Sequence, residues 1–232
     1  MNGNMRVGTI VQARMNSTRL PGKVLHRVHG QPMLQYLLES LNRCKSTGEI
    51  VVATSDKESD QPIVNFCNNY GVQYFRGSLN DVSGRFKRLL ETFHFDGFLR
   101  ICADSPFILP EVIEKAVEIF YTSDFDLVTN VFPRSYPTGQ SVEVLKTSTF
   151  IRTYKLFNKD QHFEHVTKYF YLNHKQFEIM NFYCDNDYTD VSLTVDNAKD
   201  IVMFEKVITN MTKPHWKYTV SEIVAIYRDI SL

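Results

Sequence analysis

The first two-thirds of the chain alternate short apolar runs with longer segments whose apolar residues recur every three or four positions. The short runs predict buried strands, at residues 6–12, 49–55, 72–77, 97–104 and 126–131. The longer segments predict amphipathic helices, at residues 32–45, 62–71, 81–94 and 110–122. Strands that alternate with helices indicate an α/β protein, with a mostly parallel sheet that carries helices on both faces.

Three residues at the edges of these segments support the predicted helices. Gly71 stands where the second helix should end, because glycine readily adopts the left-handed conformation of a helix terminus. Asp81 directly precedes the third helix and suits its N-cap. Pro110 occupies the first turn of the fourth helix, where its missing N–H has no cost.

The pattern becomes less regular after about residue 132. Residues 135–148 indicate a loop followed by an extended segment. The remaining elements are predicted to be helices at 150–157, 163–174, 199–211 and 219–230, and strands at 176–184 and 191–196. Because the chain has no internal repeat or low-complexity linker, we predict a single domain over residues 1–232 with an elaborated C-terminal part.

The segment QARMNSTRLPGK, residues 12–23, follows the first strand and carries three cations, Arg14, Arg19 and Lys23. Positively charged side chains and backbone that comes close to the ligand can bind phosphate. The phosphate-binding motifs GxxxxGK[ST] and GxGxxG are, however, both absent. The residues alone therefore leave a phosphate cradle and a solvated basic turn equally open. Since ligands bind at the carboxyl ends of parallel strands, this segment and the loop around Asp104 should lie on one rim of the sheet.

The stretch IVQARMNSTRLPGKVL, residues 10–25, closely resembles the opening motif of spore-coat-polysaccharide-type cytidylyltransferases, relatives of the CMP-sugar-acid synthetases. Further matching pieces follow in family order: EIVVATS, VQYFRGSLNDVSGRF, RICADSPFI, LVTNVFPRSYPTG, FEHVT and LTVDNAKD. The resemblance implies a three-layer, Rossmann-like sheet of the GT-A type. It also implies that CMP passes from CTP to a sugar, sugar acid or related small acceptor, with release of pyrophosphate, for cell-surface glycan synthesis.

Roles for individual residues also follow from this resemblance. Arg14 and Lys23 match the catalytic contacts to the triphosphate, with Arg19 beside them. Asp104 and Asp196 match the carboxylates that hold Mg²⁺, the implied cofactor. The other nucleotide-binding candidates are Gln12, Ala13, Ser17, Arg85 and Arg100.

Several of these residues have structural alternatives when they are considered without the resemblance. Asp104 suits a helix cap or turn, and Asp196 suits the cap of a helix that starts near Ala198. Arg85 and Arg100 equally suit a solvated helix or a structural ion pair.

The acceptor site is expected around YPTGQSVEV, residues 136–144. Family members carry a segment close to YPDGLDVEV, so Thr138 and Ser141 each replace an aspartate and Gln140 replaces a leucine. The loss of two negative charges leads to the hypothesis of an acceptor that carries an anionic group. The candidate acceptor-binding residues are Tyr136, Gln140, Ser141, Glu143, Glu164 and His165. For His165, a role as general base competes with a packing or hydrogen-bonding role.

The composition of the chain limits the kinds of partner that the protein is expected to bind. Lys+Arg and Asp+Glu are 26 each, and this balance argues against nucleic acid as a partner. No apolar run reaches the ~20 residues that a membrane span needs, and no signal segment opens the chain. The four cysteines lie far apart with no CxxC pair, which predicts free thiols in a cytoplasmic protein. The C-terminal third is rich in aromatic residues, and this slightly favours a homodimer, in which they form the interface, over a role of these residues in the core alone.

Three alternative functions are compatible with the sequence. The first is a nucleotidyltransferase that uses another base, and the second is a glycosyltransferase-like enzyme that consumes a nucleotide sugar. The third is a non-catalytic, nucleotide-binding scaffold. Pyrophosphate release from CTP in the presence of an acceptor distinguishes the main prediction from the last two.

Overall fold

The structure is a computed structural model that describes residues 5–231. Its strands are β1 Val7–Gln12, β2 Arg27–Val28, β3 Gln31–Pro32, β4 Ile50–Ser55, β5 Gln73–Gly77, β6 Gly97–Cys102, β7 Leu127–Thr129, β8 Glu143–Lys146 and β9 Ile179–Asn181. Its helices are α1 Met33–Leu41, α2 Gln61–Tyr70, α3 Val82–Phe93, α4 Pro110–Thr122, α5 Thr147–Tyr154, α6 Asp160–Glu164, α7 Lys168–Leu172, α8 Ala198–Thr209 and α9 Val220–Asp229. Short 3₁₀ turns include Lys23–Leu25 and Glu58–Asp60.

A seven-stranded sheet has the order β5–β4–β1–β6–β8–β7–β9. Strand β8 runs antiparallel to both of its neighbours, and the other strands of this sheet pair in parallel. The predicted mostly parallel sheet is therefore confirmed. In the register of β1 and β6, Gln12 pairs with Cys102, so the segments that follow these two strands leave the same edge of the sheet.

Successive strand residues point to opposite faces of the sheet and enter two separate cores. On one face, Val11 packs with apolar residues of α1, α2, α4, α8 and α9. On the other face, Ile10 packs with residues of α3, α5 and α7, including Phe86 and Phe150. The predicted three-layer α/β architecture is thus confirmed.

The predicted helix boundaries hold at the residues singled out in the sequence. Asp81 caps α3, because its carboxylate accepts a hydrogen bond from the Gly84 N–H at 2.7 Å. Gly71 ends α2 with a φ of 79°, in the left-handed region that glycine tolerates. Pro110 is the first residue of α4.

Two predictions for the C-terminal part are wrong. Residues 191–196 are not a strand of the sheet, although Ser192 forms an isolated bridge to Thr138. Val191, Leu193 and Val195 are buried, so this extended segment has the alternation of a strand without pairing as one. The helix predicted at 163–174 is interrupted, because α6 ends at Glu164 and His165 is extended.

The prediction of a single domain over 1–232 stays a prediction, and its residues 1–4 and 232 lie outside the described part of the chain. Within residues 5–231, no helix has both the length and the apolar character required to cross a membrane. All four cysteines carry free thiols.

Candidate active site

A buried carboxylate fixes the start of the basic loop, which comprises residues 13–23 after β1. Asp60 is fully buried at the carboxyl end of β4. One of its oxygens accepts a hydrogen bond from the Met15 N–H at 2.7 Å. Its other oxygen accepts from the Ser55 N–H at 3.1 Å and from the Ser55 hydroxyl. The loop is therefore tied to the end of a neighbouring strand directly after its first cation, Arg14.

The basic loop then curls back on itself. The Met15 carbonyl accepts from the Ser17 N–H at 3.0 Å and from the Gly22 N–H at 2.8 Å. Gly22 closes the curl with a φ of 76°, which a residue with a Cβ rarely adopts. The Ser17 hydroxyl oxygen accepts from the Leu20 N–H at 3.3 Å, so Ser17 shapes the loop. This curl leaves Arg14 and Arg19 exposed and turns Lys23 inward.

Lys23 joins the two carboxylates that the resemblance assigns to metal binding. Its Nζ lies 2.8 Å from Asp196 Oδ1 and 3.3 Å from Asp104 Oδ2. Arg19 adds a contact of 3.1 Å to Asp196 Oδ1. The Val195 N–H donates to the Asp104 carbonyl at 2.9 Å, which holds these two distant segments together. The rim predicted from the sequence therefore exists.

The helix-cap alternative for Asp196 does not apply, because the next residue caps α8. The Asn197 side chain accepts from the N–H groups of Lys199 at 2.9 Å and Asp200 at 3.3 Å. The Asp200 carboxylate in turn accepts from the N–H groups of Asp196 at 2.7 Å and Asn197 at 3.0 Å. The Asp196 carboxylate is thereby left facing Lys23.

The carboxylate pair suits a hard divalent cation. Asp104 and Asp196 both reach one cationic group, Lys23 Nζ, and carboxylate oxygens are ligands that Mg²⁺ prefers. Within residues 5–231, no cluster of three or more histidine, cysteine or acidic side chains is placed to hold a metal. The residues therefore fit a metal that keeps only two protein ligands and completes its shell with water and substrate phosphate.

A cavity of about 540 Å³ opens beside Arg14. Its other lining residues are Leu79, Asn80, Asp81, Asp160, Phe163 and Glu164. Arg14 Nη2 lies 4.0 Å from Glu164 Oε1 across this cavity. Glu164 was expected in the acceptor site, but the structure places it on the side of the predicted nucleotide contact Arg14.

Arg85 lies beneath the start of the basic loop. Its Nη1 and the Ala13 N–H both donate to the Ala53 carbonyl, at 3.2 and 3.1 Å. Its Nε donates to the Ser78 carbonyl at 3.2 Å, whereas its buried Nη2 has no partner among the described residues. Burial lowers the pKa of Arg85 to about 10, so its guanidinium stays charged at neutral pH. A buried donor without a partner usually awaits a water or a ligand.

A second cavity, of about 180 Å³, adjoins Asp104. Ser141 and Glu143, two of the predicted acceptor-binding residues, lie in its wall. The remaining wall is formed by Arg100, Cys102, Ser105, Val131, Arg134 and Thr194. Because it shares Asp104 with the carboxylate pair, this cavity is the structural candidate for the acceptor site.

Arg134 is a charged residue of this cavity that the sequence analysis did not single out. Its guanidinium donates to the Ser141 hydroxyl at 3.0 Å and to the Pro137 carbonyl at 3.4 Å. Among the described residues, no carboxylate lies within 4.0 Å of it. Burial lowers its pKa, and the more distant Glu143 partly offsets that effect. The sequence signal that could have identified Arg134 was its position at the start of RSYPTG, where the chain crosses the rim of the sheet.

Asn130 closes the segment that carries Arg134 into a loop. Its side-chain amide donates to the Gln140 carbonyl at 2.6 Å and accepts from the Val142 N–H at 2.9 Å. Asn130 is fully buried, and its two hydrogen bonds hold the two ends of residues 131–141 together inside the protein. We call this segment the rim loop.

Arg100 forms an ion pair with Glu143, the structural role that the sequence left open for it, and its contact to the nucleotide stays a prediction. Its Nη1 lies 2.6 Å from Glu143 Oε2, and its Nη2 donates to Gln12 Oε1 at 3.2 Å. The Tyr171 hydroxyl donates to the other Glu143 oxygen at 2.5 Å. Burial and the Glu143 charge raise the pKa of Tyr171, which keeps this donor protonated. Glu143 and Gln12 are therefore both engaged by Arg100.

Three further acceptor candidates lie outside the cavity beside Asp104. Gln140 is fully buried, and its amide donates to the Phe107 carbonyl at 2.6 Å and accepts from the Leu109 N–H at 3.1 Å. Tyr136 lines a different cavity of about 330 Å³. His165 is exposed and lines neither of the two site cavities.

A parallel sheet whose carboxyl edge carries a basic loop and a carboxylate pair defines a nucleotide-binding α/β protein. The family model described as "Cytidylyltransferase" matches residues 9–225. The chain thus belongs to the cytidylyltransferase family, and this membership supports nucleotidyltransferase activity.

Individual relatives agree with this assignment. An uncharacterized protein of Methanocaldococcus jannaschii is 35% identical over 86% of this chain and 82% of its own length. The spore coat polysaccharide biosynthesis protein SpsF of Bacillus subtilis is 34% identical over 69% of this chain and 68% of its own length. The solved structure of a cytidylyltransferase from Leptospira borgpetersenii superposes with a TM-score of 0.93 at 25% identity, covering 98% of this chain and 96% of its own.

Proposed function

We propose that this protein transfers CMP from CTP to an acceptor oxygen in a Mg²⁺-dependent reaction. The acceptor oxygen forms a bond to the α-phosphorus, and the bond from that phosphorus to the bridging oxygen breaks. The electron pair leaves with pyrophosphate, and the acceptor proton passes to solvent. The single observation that carries the proposal is the meeting of Lys23, Asp104 and Asp196 at the end of a basic loop.

The basic loop would supply positive charge to the triphosphate. Arg14 and Arg19 project from the loop, and the Asp60 contacts and the Gly22 turn hold their backbone in place. Such preorganised charge stabilises the developing negative charge on the leaving pyrophosphate. Asp104 and Asp196 would hold Mg²⁺, which when bound neutralises phosphate charge and orients the phosphates for attack.

Arg85 would contact the nucleoside part of CTP. Its buried Nη2 lies on a guanidinium that shares the Ala53 carbonyl with Ala13, directly under the loop. An oxygen of the base or ribose would satisfy this donor. The cavity beside Arg14 offers the room for that part of the nucleotide.

We propose further that the acceptor carries a carboxylate or phosphate group, as a sugar acid does. Arg134 presents a partly buried guanidinium to the cavity beside Asp104 and has no carboxylate within 4.0 Å among the described residues. A charge in this position favours an anionic ligand, because partial burial strengthens the attraction. The absence of carboxylates at positions 138 and 141 points the same way. A role in glycan synthesis, a cytoplasmic location and a homodimer stay predictions.

Calorimetric titration with CTP, ATP, GTP and UTP, with and without Mg²⁺, tests the nucleotide part of this proposal. We expect selective CTP binding that Mg²⁺ strengthens, followed by pyrophosphate release when an acceptor is added. The absence of binding to any triphosphate would contradict the proposal and favour a scaffold. Consumption of a nucleotide sugar with release of a nucleoside diphosphate would favour a glycosyltransferase instead.

Arg134→Gln tests the acceptor part. A panel of 3-deoxy-manno-octulosonate, N-acetylneuraminate, glycerol 3-phosphate and mannose distinguishes carboxylate, phosphate and neutral acceptors. We expect the KM of an acidic acceptor to rise about 10- to 100-fold in this variant, because a hydrogen bond to a charged group contributes roughly 1.5–3 kcal/mol. The CTP affinity should stay unchanged. The exposed Arg152→Gln is the matched control, and a wild-type protein that accepts only mannose would refute the anionic acceptor.

A further inference from the structure

The ammonium group of Lys23 stands between the two carboxylates that would hold a metal. We propose that Lys23 acts as an internal cation that keeps the Asp104–Asp196 pair closed to a free divalent metal until the nucleotide arrives. This inference rests on the proposed function. It predicts that metal and CTP enter together and that Lys23 then transfers from the carboxylates to phosphate.

The contacts of Lys23 are those of a bridging cation. Its Nζ lies 2.8 Å from Asp196 and 3.3 Å from Asp104, and only 9% of its side chain is exposed. A divalent ion that engaged both carboxylates would need the space that this ammonium group fills. Lysine and metal are therefore competitors for one position.

The charges around this position are balanced without a metal. Lys23 and Arg19 lie against Asp196, and Lys23 also contacts Asp104, so two cations face two anions. A free divalent ion would leave an excess of positive charge in a confined space, which is unfavourable. A metal–triphosphate complex carries net negative charge and would release Lys23 to bind its phosphates. The balance therefore favours joint entry of metal and nucleotide.

The surrounding backbone allows this exchange without rearrangement. Lys23 begins a 3₁₀ turn in which the His26 N–H donates to the Lys23 carbonyl at 3.0 Å. The hydrogen bond from the Val195 N–H to the Asp104 carbonyl, and that from the Asp196 N–H to the Asp200 carboxylate, hold the pair independently of Lys23. The flexible lysine side chain can therefore leave while both carboxylates stay in place.

Titration of the nucleotide-free protein with Mn²⁺, followed by electron paramagnetic resonance of the unbound ion, tests this inference. We expect weak Mn²⁺ binding to the wild type, and binding at least about tenfold tighter to Lys23→Met, because that variant removes the competing charge. Lys23→Arg retains a cation and should resemble the wild type. Lys199→Met is the matched control, because it removes an exposed charge three residues from Asp196.

A thermal melt gives a second readout that needs no activity. Mn²⁺ should raise the melting temperature of Lys23→Met relative to EDTA and leave that of the nucleotide-free wild type nearly unchanged. Lys23→Gln replaces the methionine variant if the latter does not fold. Equal Mn²⁺ affinity in wild type and neutral variants, whether tight or undetectable, would overturn the inference. Failure of the wild type to bind CTP would instead refute the proposed function, and the Mn²⁺ comparison would still decide the role of Lys23.

Discussion

Asp60 determines the geometry of the basic loop although it lies outside that loop. Its carboxylate accepts hydrogen bonds from the backbone of Met15 and from both donors of Ser55. Burial strengthens these bonds and makes a substitution costly, because a buried donor that loses its partner pays its full desolvation penalty. The shape of the basic loop therefore depends on one charged group from the adjacent strand end.

The substitution Asp60→Asn should lower both stability and CTP affinity. The amide cannot accept from all three donors, and a lost hydrogen bond to a charged group costs about 1.5–3 kcal/mol. We expect the free energy of unfolding to fall by that amount in urea titrations and the calorimetric Kd for CTP to rise. Glu58→Gln, which removes an exposed charge in the same turn, should change neither quantity. A stable Asp60→Asn variant with unchanged CTP affinity would contradict this account.

The sequence located the charged residues of the site better than it located the direction of side chains. Arg14, Arg19 and Lys23 follow a strand that the apolar pattern identifies, so their placement at the rim was predictable. Gln140 is buried and Arg100 is paired with Glu143, because hydrogen bonds to residues distant in the sequence decide their orientation. A motif match specifies a position along the chain and carries no information about those partners.

At the scale of elements, the start of α8 positions one of the two carboxylates. Asn197 and Asp200 form a reciprocal capping box that also binds the Asp196 N–H. Helix α9 begins with an equivalent box, formed by Thr219 and Glu222, but the hydrogen bonds of that box include no residue of the carboxylate pair. A comparison of the two caps therefore separates the effect of a helix cap on stability from its effect on the carboxylate pair.

Asn197→Ala and Thr219→Ala form a matched pair of variants. Each should lower the free energy of unfolding by about 1 kcal/mol, because each removes one N-cap side chain. Only Asn197→Ala should also weaken Mg²⁺-dependent CTP binding, since Asp196 directly precedes the lost cap. Denaturant titration and calorimetry measure the two effects. Equal CTP affinity in both variants would show that the cap does not position Asp196.

The strands and helices that the sequence predicted correctly are those in which the hydrophobic pattern agrees with the way the segment packs or pairs in the structure. Strand β1 was predictable because it is a short continuous run of buried residues, and helix α4 because its buried residues repeat at the helix period. Residues 191–196 have the alternation of a strand, yet they pair with the chain only at Thr138, through a single bridge. Alternation shows that one side of a segment is buried, and it does not require that the segment pair with a neighbouring strand.

For the whole molecule, the single-domain prediction means that the sheet should join the two cores into one cooperative unit. Alternate residues of the same strands enter opposite cores, so neither core can melt without disturbing the strands of the other. Trp216, the only tryptophan, lies beside His215, whose ring nitrogen contacts the Tyr36 carbonyl in the first core. Its fluorescence therefore reports on that side of the sheet.

Phe150→Ala, a substitution in the second core, should destabilise the region around Trp216 on the opposite face. Phe150 is fully buried, and removal of a buried phenylalanine side chain costs roughly 3–5 kcal/mol. We expect the urea midpoints from Trp216 fluorescence and from far-ultraviolet circular dichroism to fall together. A fluorescence midpoint that stays at the wild-type value would indicate that the two sides unfold independently.

The hydrogen bonds by which Asn130 joins the two ends of the rim loop have a consequence for how this protein can acquire new substrates. The groups proposed to bind the nucleotide lie before residue 105, apart from Asp196, whereas the rim loop contributes Arg134 and Ser141 to the other cavity. Asn130, Thr138 and Gln140 hold the rim loop in place, so its residues Arg134 and Ser141 can change while the sheet stays intact. Under the proposed function, acceptor choice can then evolve separately from nucleotide choice, through the residues of the rim loop that line the cavity beside Asp104.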